Sequence, residues 1–348
     1  MSTAEGPPDD GATPSQPLTI AQLAELAQVS TATVSKVVNG RAEVGPETRA
    51  LIERLIREHG YRPQRRRATF APLVELVFHA LEGEYPTEIA KGVEQVTREH
   101  RLAVVLSQLQ HRDTPGKGWI EGVLSRRPLG VISVFSGLTE AQREQLATRG
   151  IPLVLLDPRG DPAPQAPSVG ASNWNGGVMA TRHLLDLGHR RIAAITGPDC
   201  ALSGRARLDG FRTALDMAGV PVDPELIGPG DFLIEGGLAQ AERLLRLPSP
   251  PTAIFTCNDG QASGVYRAAH RLGLRIPEDL SVVGFDDLPA VRWMNPPLTT
   301  VRQPLTAMAA AATDMLLKLS RGELLPRHRV ELGTELIIRE STGPVRRR

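Results

Sequence analysis

Seven short runs rich in Val, Ile and Leu recur between Leu73 and Asp286, each separated from the next by an amphipathic or polar stretch. They fall at Leu73–Phe78, Leu102–Ser107, Gly130–Phe135, Ile151–Asp157, Arg191–Thr196, Ala253–Asn258 and Leu280–Asp286. Between them apolar residues repeat at helical spacing, for instance over Glu88–His100, Gly176–Leu187 and Gly204–Ala218. Short strands joined by helices call for parallel sheets covered on both faces, with binding sites beyond the carboxyl ends of the strands. The stretch from residue 73 to residue 348 has room for two such sheets, and no repeat of solenoid period interrupts it.

The first 63 residues follow a different rule. Residues 1–17 are polar and read as a disordered tail. Thr19, with Gln22 three positions on, makes a capping box, and Ile20, Leu23, Ala24 and Ala27 share one helical face. Gln28-Val29 then reads as a short turn. Ser30 caps a second helix over about Thr31 to Val38, which Asn39-Gly40 stops. Gly45 and Pro46 open a third, with Leu51, Ile52, Leu55 and Ile56 on its inner face and an end near His59-Gly60. Two short helices around a tight turn, braced by a third, make an all-α helix-turn-helix unit over residues 18–63.

The second helix has an unusual surface. Val34, Val37 and Val38 occupy one side, leaving Thr31, Ala32, Thr33, Ser35, Lys36 and Asn39 on the other, none bulky and none acidic. Such a helix can lie deep in a DNA major groove, about 12 Å wide, where bulk would hold the backbone off the bases. Its hydroxyls and amide can bond phosphates and base edges, and its first turn favours anionic oxygen. The same residues could also be simply solvated or capping. Charge sharpens the choice: from Pro17 to Arg67 nine basic residues stand against five acidic ones, although the whole chain carries only +1.

Other classes are disfavoured. The two cysteines, Cys200 and Cys257, lie far apart without metal-ligand spacing, which argues against a disulfide framework or zinc site and fits a reducing cytosol. No apolar run approaches the roughly 18 residues of a membrane span. The start lacks the basic, apolar, small-residue order of a secretory signal. A cytoplasmic, nucleoid-associated protein without a cofactor is expected.

The motifs Thr19-Ile20, Ala24-x-x-Ala27-x-Val29-Ser30, Thr33-Val34-Ser35-x-Val37-Val38-Asn39, Val44-x-x-x-Thr48-Arg49 and Gly60-Tyr61-x-Pro63 stand in register. On them, Leu18 to Pro63 resembles the DNA-binding headpiece of the lactose-repressor (LacI) family of bacterial transcription regulators. The resemblance continues through Leu184–Gly197, Arg207–Leu215, Pro251–Asp259, Gly273–Asp287, Pro296–Pro304 and Thr334–Ser341. It implies a core of two parallel-sheet lobes, like that of periplasmic binding proteins, that binds an effector and dimerises. The expected division is a headpiece at 18–63, a hinge at 64–72 and a core at 73–348. Lobe one would take about 73–171 and 301–330, and lobe two about 172–300 and 331–345, with crossings near Ala171–Asn173, Leu298–Arg302 and Val330–Thr334. The stretch Ala71 to Glu94 is similar to actinobacterial members linked with plant-polysaccharide sugars.

The resemblance also implies roles. Base reading falls on Thr31 and Ala32, with Lys36 one turn on, and phosphate contacts fall on Thr33, Ser35 and Asn39; Thr19 and Ser30 join the DNA-facing set. Lys36 can donate to guanine O6 and N7. Gln28 departs from the glycine common in the family's turn. In the hinge, Arg65, Arg66 and Arg67 would meet phosphate, and Phe70 stands where a leucine wedges into the minor groove. In the cleft, Ser203, Arg207, Asn258 and Asp286 match effector contacts, Phe232 stands where an aromatic stacks on the ligand, and Trp174 is a further aromatic near a crossing. Ser172-Asn173 replaces the family's common Asp-Asn.

Arginine offers a fork of donors, aspartate accepts two vicinal hydroxyls, asparagine does both, and an aromatic covers the apolar face of a pyranose. Ordinary structural roles stay open: Arg207 could pair with Asp209 or Asp216, one of Asp286 and Asp287 could cap the next turn, and Phe232 or Trp174 could be packing. The expectation is a homodimeric repressor of sugar-utilisation genes, released from a palindromic operator by a sugar or oligosaccharide. A ligand acting as corepressor, or an activator, is the alternative. A transport receptor predicts a secretory signal and no headpiece. An enzyme is disfavoured because His79, His183 and His189 lack a nucleophile pattern, a phosphate loop or metal spacing. The chain's end after "GPVRRR" offers no heptad for tetramer assembly.

Overall fold

The computed structural model describes residues 19–38, 44–59, 70–109, 115–135, 137–160, 162–163 and 165–346. The tail, Asn39, Arg65, Arg66 and Arg67 lie outside the described residues. The chain divides into two compact units, Met1–Thr69 and Phe70–Arg348.

In the smaller unit, α1 (Ile20–Leu26), α2 (Thr31–Val38) and α3 (Pro46–Glu58) enclose one core. Leu23, Ala24, Ala27, Val34, Val37 and Ile52 are buried in it. The helix starts are set by local chemistry. Thr19 and Gln22 form both bonds of the capping box, the Thr33 amide donates to Ser30 Oγ at 3.1 Å, and Pro46 follows Gly45 at the head of α3. Between α1 and α2 the backbone turns through Gln28 at φ +52°, a left-handed conformation that disfavours any Cβ.

In the larger unit the first sheet is parallel throughout, in the order β11-β5-β4-β3-β1-β2. Its strands are β1 (Ala71–Phe78), β2 (Ala103–Gln108), β3 (Pro128–Val134), β4 (Leu153–Leu156), β5 (Ser168–Ala171) and, from far along the chain, β11 (Arg329–Leu332). Helices α4 (Tyr85–Glu99), α5 (Lys117–Arg126) and α6 (Glu140–Thr148) connect its first four strands. The second sheet runs β12-β10-β9-β8-β6-β7. It contains β6 (Ile192–Ile195), β7 (Ile227–Gly228), β8 (Ala253–Thr256), β9 (Ser281–Asp286), β10 (Thr299–Arg302) and the antiparallel β12 (Glu335–Ile337). Around it pack α7 (Asn173–Asp186), α8 (Leu202–Met217), α9 (Ile234–Leu245) and α10 (Asp259–Arg271).

The chain passes between the sheets three times: after β5 at Ser172, after β10 at Gln303 and Pro304, and after β11 at Gly333 and Thr334. From the second crossing, α11 (Leu305–Ser320) returns to the first sheet, burying Met308, Ala309, Ala312 and Leu316. Sheet membership corrects the expected lobe limits. Val301 and Arg302 pair with Phe285 and Asp286 in the second sheet, whereas Glu331 and Leu332 pair with Gly170 and Ala171 in the first. β5, β7 and β10 to β12 were not foreseen as strands.

One other expectation changes, at Phe70, whereas His189 has a structural place. Phe70, read from the sequence as a minor-groove wedge, is half-buried at the head of β1 and packs on the cluster of Val77, Ile120, Val123 and Val131. Leaving that cluster would expose its ring to water. His189 is buried, with its two ring nitrogens bonded to Thr252 Oγ1 at 2.8 Å and to Ser281 Oγ and the Gly343 carbonyl at 3.0 Å. It ties the end of the chain to lobe two.

The Gln28→Gly variant should stabilise the headpiece by about 1 kcal/mol, since glycine adopts φ > 0 without a Cβ clash. Amide exchange across α1 and α2 in the full chain would then slow about fivefold; unchanged exchange would show that the turn carries no such strain.

Candidate functional site

The cavity of the larger unit measures about 410 Å³ and is lined by residues of both lobes at the carboxyl ends of their strands. Lobe one contributes Phe78, His79, Tyr85, Phe135, Asp157 and Arg159, and lobe two Ser203, Arg207, Phe232, Asn258 and Asp286, with Gln303 at a crossing. Four of these hold left-handed backbone: Phe135 (φ +44°), Asp157 (+48°), Phe232 (+69°) and Asp286 (+122°). Non-glycine residues in such conformations cost about 1–3 kcal/mol each and concentrate at functional sites.

Arg207 organises the lobe-two wall. It lies on α8, which approaches α7 so closely that a Cβ on Gly177 would stand 2.1 Å from the Arg207 carbonyl, and one on Gly210 2.2 Å from that of Trp174. The residue is only 2% exposed. Nε donates to Asn173 Oδ1 at 2.8 Å, Nη1 donates to the Cys257 carbonyl, and the same nitrogen stands 3.7 Å from Asp286 Oδ1. The plane covers the Phe285 ring at 3.8 Å. Asp286, rather than Asp209 or Asp216, is therefore its carboxylate partner; Asp209 pairs with Arg212 at 3.2 Å.

The neighbouring side chains are similarly braced. Gln303 Nε2 donates to Asp286 Oδ1 at 2.6 Å. Asn258 caps α10, accepting from the Gln261 amide at 2.9 Å, while its own amide donates to the Phe232 carbonyl at 2.9 Å. It thus holds the left-handed Phe232 backbone in place. Asp287 does not face the cavity; Arg302 donates to its Oδ2 at 2.8 Å, and Arg339 donates to its other oxygen. Trp174 is 45% exposed and is not among the lining residues, so the structure removes it from the cleft.

Across the cavity, Tyr85 donates its hydroxyl to Asp157 Oδ2 at 3.1 Å. Phe135 and Phe232 meet edge to face from opposite lobes, with centroids 5.9 Å apart. Arg159 of lobe one donates to Cys200 Sγ of lobe two at 2.8 Å, and the Ala290 amide donates to Glu84 Oε2 at 2.9 Å. Sequence reasoning missed Tyr85, Phe135, Asp157 and Gln303. The available signal was position: Phe135 and Asp157 end two of the predicted strands, where the fold class places ligands.

In the headpiece, Thr31 and Ala32 are exposed at the start of α2, and Thr33, Ser35 and Lys36 are half-buried. Ser30 and Thr33 bond each other through their hydroxyls at 2.8 Å, and Thr19 is engaged in its capping box. Among the described residues no cluster of His, Cys, Asp or Glu is arranged to hold a metal, and no helix is long and apolar enough to cross a membrane.

Burial pushes the Asp286 carboxyl up to about 7, against the pull of Arg207 and the Gln303 hydrogen bond. Burial also raises Asp157, opposed by Arg207 and Tyr85. A carboxyl whose folded pKa lies above its unfolded value binds more protons when folded, so its contribution to stability is full below the unfolded value and is lost as pH rises toward 7. The Asp286→Asn variant, which does not titrate, should therefore gain stability relative to the parent between about pH 4 and pH 7. Denaturant unfolding at several pH values checks this; a constant difference would show that Asp286 stays ionised throughout.

Residues 19–64 match the family described as bacterial regulatory proteins, lacI family, and residues 181–342 match a periplasmic binding protein-like domain. The HTH-type transcriptional repressor CytR of Escherichia coli (strain K12) is 33% identical over 331 residues, covering 93% of this chain and 96% of that protein. A solved transcriptional regulator CelR–cellobiose complex superposes with a TM-score of 0.71 at 33% identity, covering 93% of this chain and 99% of that one. A lac repressor dimer bound to operator and the anti-inducer ONPF superposes with a TM-score of 0.68 at 29% identity, covering 94% and 100%. The likeness spans the helix-turn-helix unit and the two-sheet core together, and the chain belongs to the lacI family of bacterial regulatory proteins.

Proposed function

We propose that the protein is a transcriptional repressor that binds an operator as a homodimer and is released when a sugar occupies the cleft. The supporting observation is one chain carrying both a helix with a small-residue start, at exposed Thr31 and Ala32, and a cavity lined by aromatic rings, carboxyl groups and an arginine. Aromatic rings at Phe135 and Phe232 suit the apolar face of a sugar, and Asp157, Asp286 and Arg207 suit its hydroxyls. CytR is a repressor by name, and the CelR structure holds cellobiose; both fit this reading.

On DNA, Thr31, Ala32 and Lys36 would face base edges. Thr19, Ser30, Thr33, Ser35 and Asn39 would meet phosphate, joined by Arg65, Arg66 and Arg67. Ser30 and Thr33 hydroxyls that already bond each other would position phosphate contacts more than read sequence. In the core, Ser203, Arg207, Phe232, Asn258 and Asp286 would hold the effector. A twofold dimer would present two headpieces to an inverted repeat. Phosphate neutralisation makes operator affinity fall steeply with salt.

Gel-shift titration of DNA upstream of this gene, repeated with pentoses, hexoses and disaccharides, tests the reading. An inverted-repeat duplex should bind, one sugar should weaken the complex, and Lys36→Ala should cost about 1–3 kcal/mol at the guanine it reads while sparing scrambled DNA. Equal binding of operator and scrambled duplexes would reject the repressor. A sugar that tightens the complex would instead make it a corepressor.

A further inference from the structure

The end of lobe one opposite the cleft is edged with arginine. In each strand-helix-strand unit the helix runs back against its strand, so helices finish, and the next strands begin, on the side away from the cavity. Lobe one places Arg98 in the last turn of α4, Arg127 and Arg149 just past α5 and α6, and Arg321 just past α11. Arg101 precedes β2 and Arg327 precedes β11, both exposed. β2 and β11 are the opposite edges of a 6-stranded sheet. With neighbouring strands about 4.8 Å apart, the row between them spans about 24 Å.

Cations at helix carboxyl ends offset the macrodipole, which accounts for an arginine at the end of a helix but not for this whole edge. Lobe two has the same construction, yet arginines at its corresponding end are matched by carboxylates: Arg191 with Asp223 at 2.9 Å, Arg271 with Glu242 at 2.8 Å and Arg275 with Asp279 at 2.8 Å. In lobe one, Arg98 stands 3.7 Å from Glu94 and Arg321 3.6 Å from Glu323. Arg101 and Arg327 lie outside helices and meet no carboxylate within ion-pair distance among the described residues. Their charge is left for something outside the fold.

The chain itself points to the partner. β1 begins at this end, so the segment arriving from the helix-turn-helix unit joins the core there. When the headpiece holds DNA, phosphates of the same duplex reach the core at the high effective concentration of a tethered ligand, and individually weak contacts then count. A row of about 24 Å covers about seven phosphates of one strand, at about 3.4 Å each along the axis.

We infer that the arginine-edged end of lobe one is a second DNA-contact surface, with Arg101 and Arg327 donating to backbone phosphates of the duplex that the headpiece holds. The surface adds affinity without reading sequence. The inference rests on the operator-binding reading above and extends it from the headpiece to the core.

Fluorescence anisotropy of labelled inverted-repeat and scrambled duplexes, titrated with full-length protein without sugar between about 50 and 200 mM salt, provides the test. The Arg101→Gln/Arg327→Gln variant should bind both duplexes about five- to tenfold more weakly at low salt and keep their affinity ratio, and its slope of log affinity on log salt should be shallower by about 2. Arg101→Lys/Arg327→Lys, which restores the charge, should recover affinity and slope. Arg246→Gln/Arg271→Gln, which removes equal charge from the ends of α9 and α10 in lobe two, should match the wild type within about twofold. Unchanged binding in the first variant, a loss at the wild-type slope, or an equal loss in the lobe-two variant overturns the surface while leaving the headpiece reading intact. If the wild type itself shows no preference for the inverted repeat, the repressor reading fails and the inference falls with it.

Discussion

A guanidinium and a carboxylate can share a buried wall only when their donors and acceptors are matched, because desolvation of either alone costs several kcal/mol. Arg207 and Asp286 meet that condition through partners drawn from several elements: Asn173 at the start of α7, the Cys257 carbonyl after β8, and Gln303 after β10. The close approach of α7 and α8 over Gly177 and Gly210 carries the arginine into place. Removing one member strands the others, so the wall holds together as a unit. That unit leaves Ser203, Phe232, Asp286 and Gln303 lining the cavity.

The contacts that span the cleft are of another kind. Phe135 against Phe232, Arg159 on Cys200 and the Ala290 amide on Glu84 are few, and the Glu84 and Cys200 bonds are solvent-exposed. Each such contact is worth about 1 kcal/mol or less, while each lobe is held by its own large core. A ligand that replaces or completes these contacts can shift the angle between lobes for about 1–3 kcal/mol, the range typical of allosteric coupling. Separate lobe cores, three short crossings and a weakly bridged cleft suit a protein whose lobes shift on binding.

What the sequence disclosed depended on how local its cause was. The caps at Thr19 and Ser30 were readable because donor and acceptor lie within three residues of each other, and the start of α3 because Pro46 opens it. The strands with five or more consecutive buried positions, such as β1 and β9, were equally plain. β10, β11 and β12 were not: they are three or four residues long, include Thr, Arg or Glu, and exist only because distant strands pair with them. Family likeness supplied Ser203, Arg207, Phe232, Asn258 and Asp286, all of which line one cavity. It also supplied Trp174, which does not. Tyr85, Asp157 and Gln303 escaped because lining a cleft is a property of converging strand ends, and no spacing along the chain encodes that convergence.

In the proposed repressor the cleft and the DNA-facing helix α2 share one equilibrium. Thermodynamic linkage makes that directly measurable. The factor by which a bound sugar weakens operator affinity must equal the factor by which bound operator weakens sugar affinity. Calorimetric titration of sugar into the free protein and into its operator complex gives one factor, and operator titration with and without saturating sugar gives the other. Two equal factors between about 5 and 150 are expected. Sugar binding that is identical in the presence and absence of operator would contradict the account.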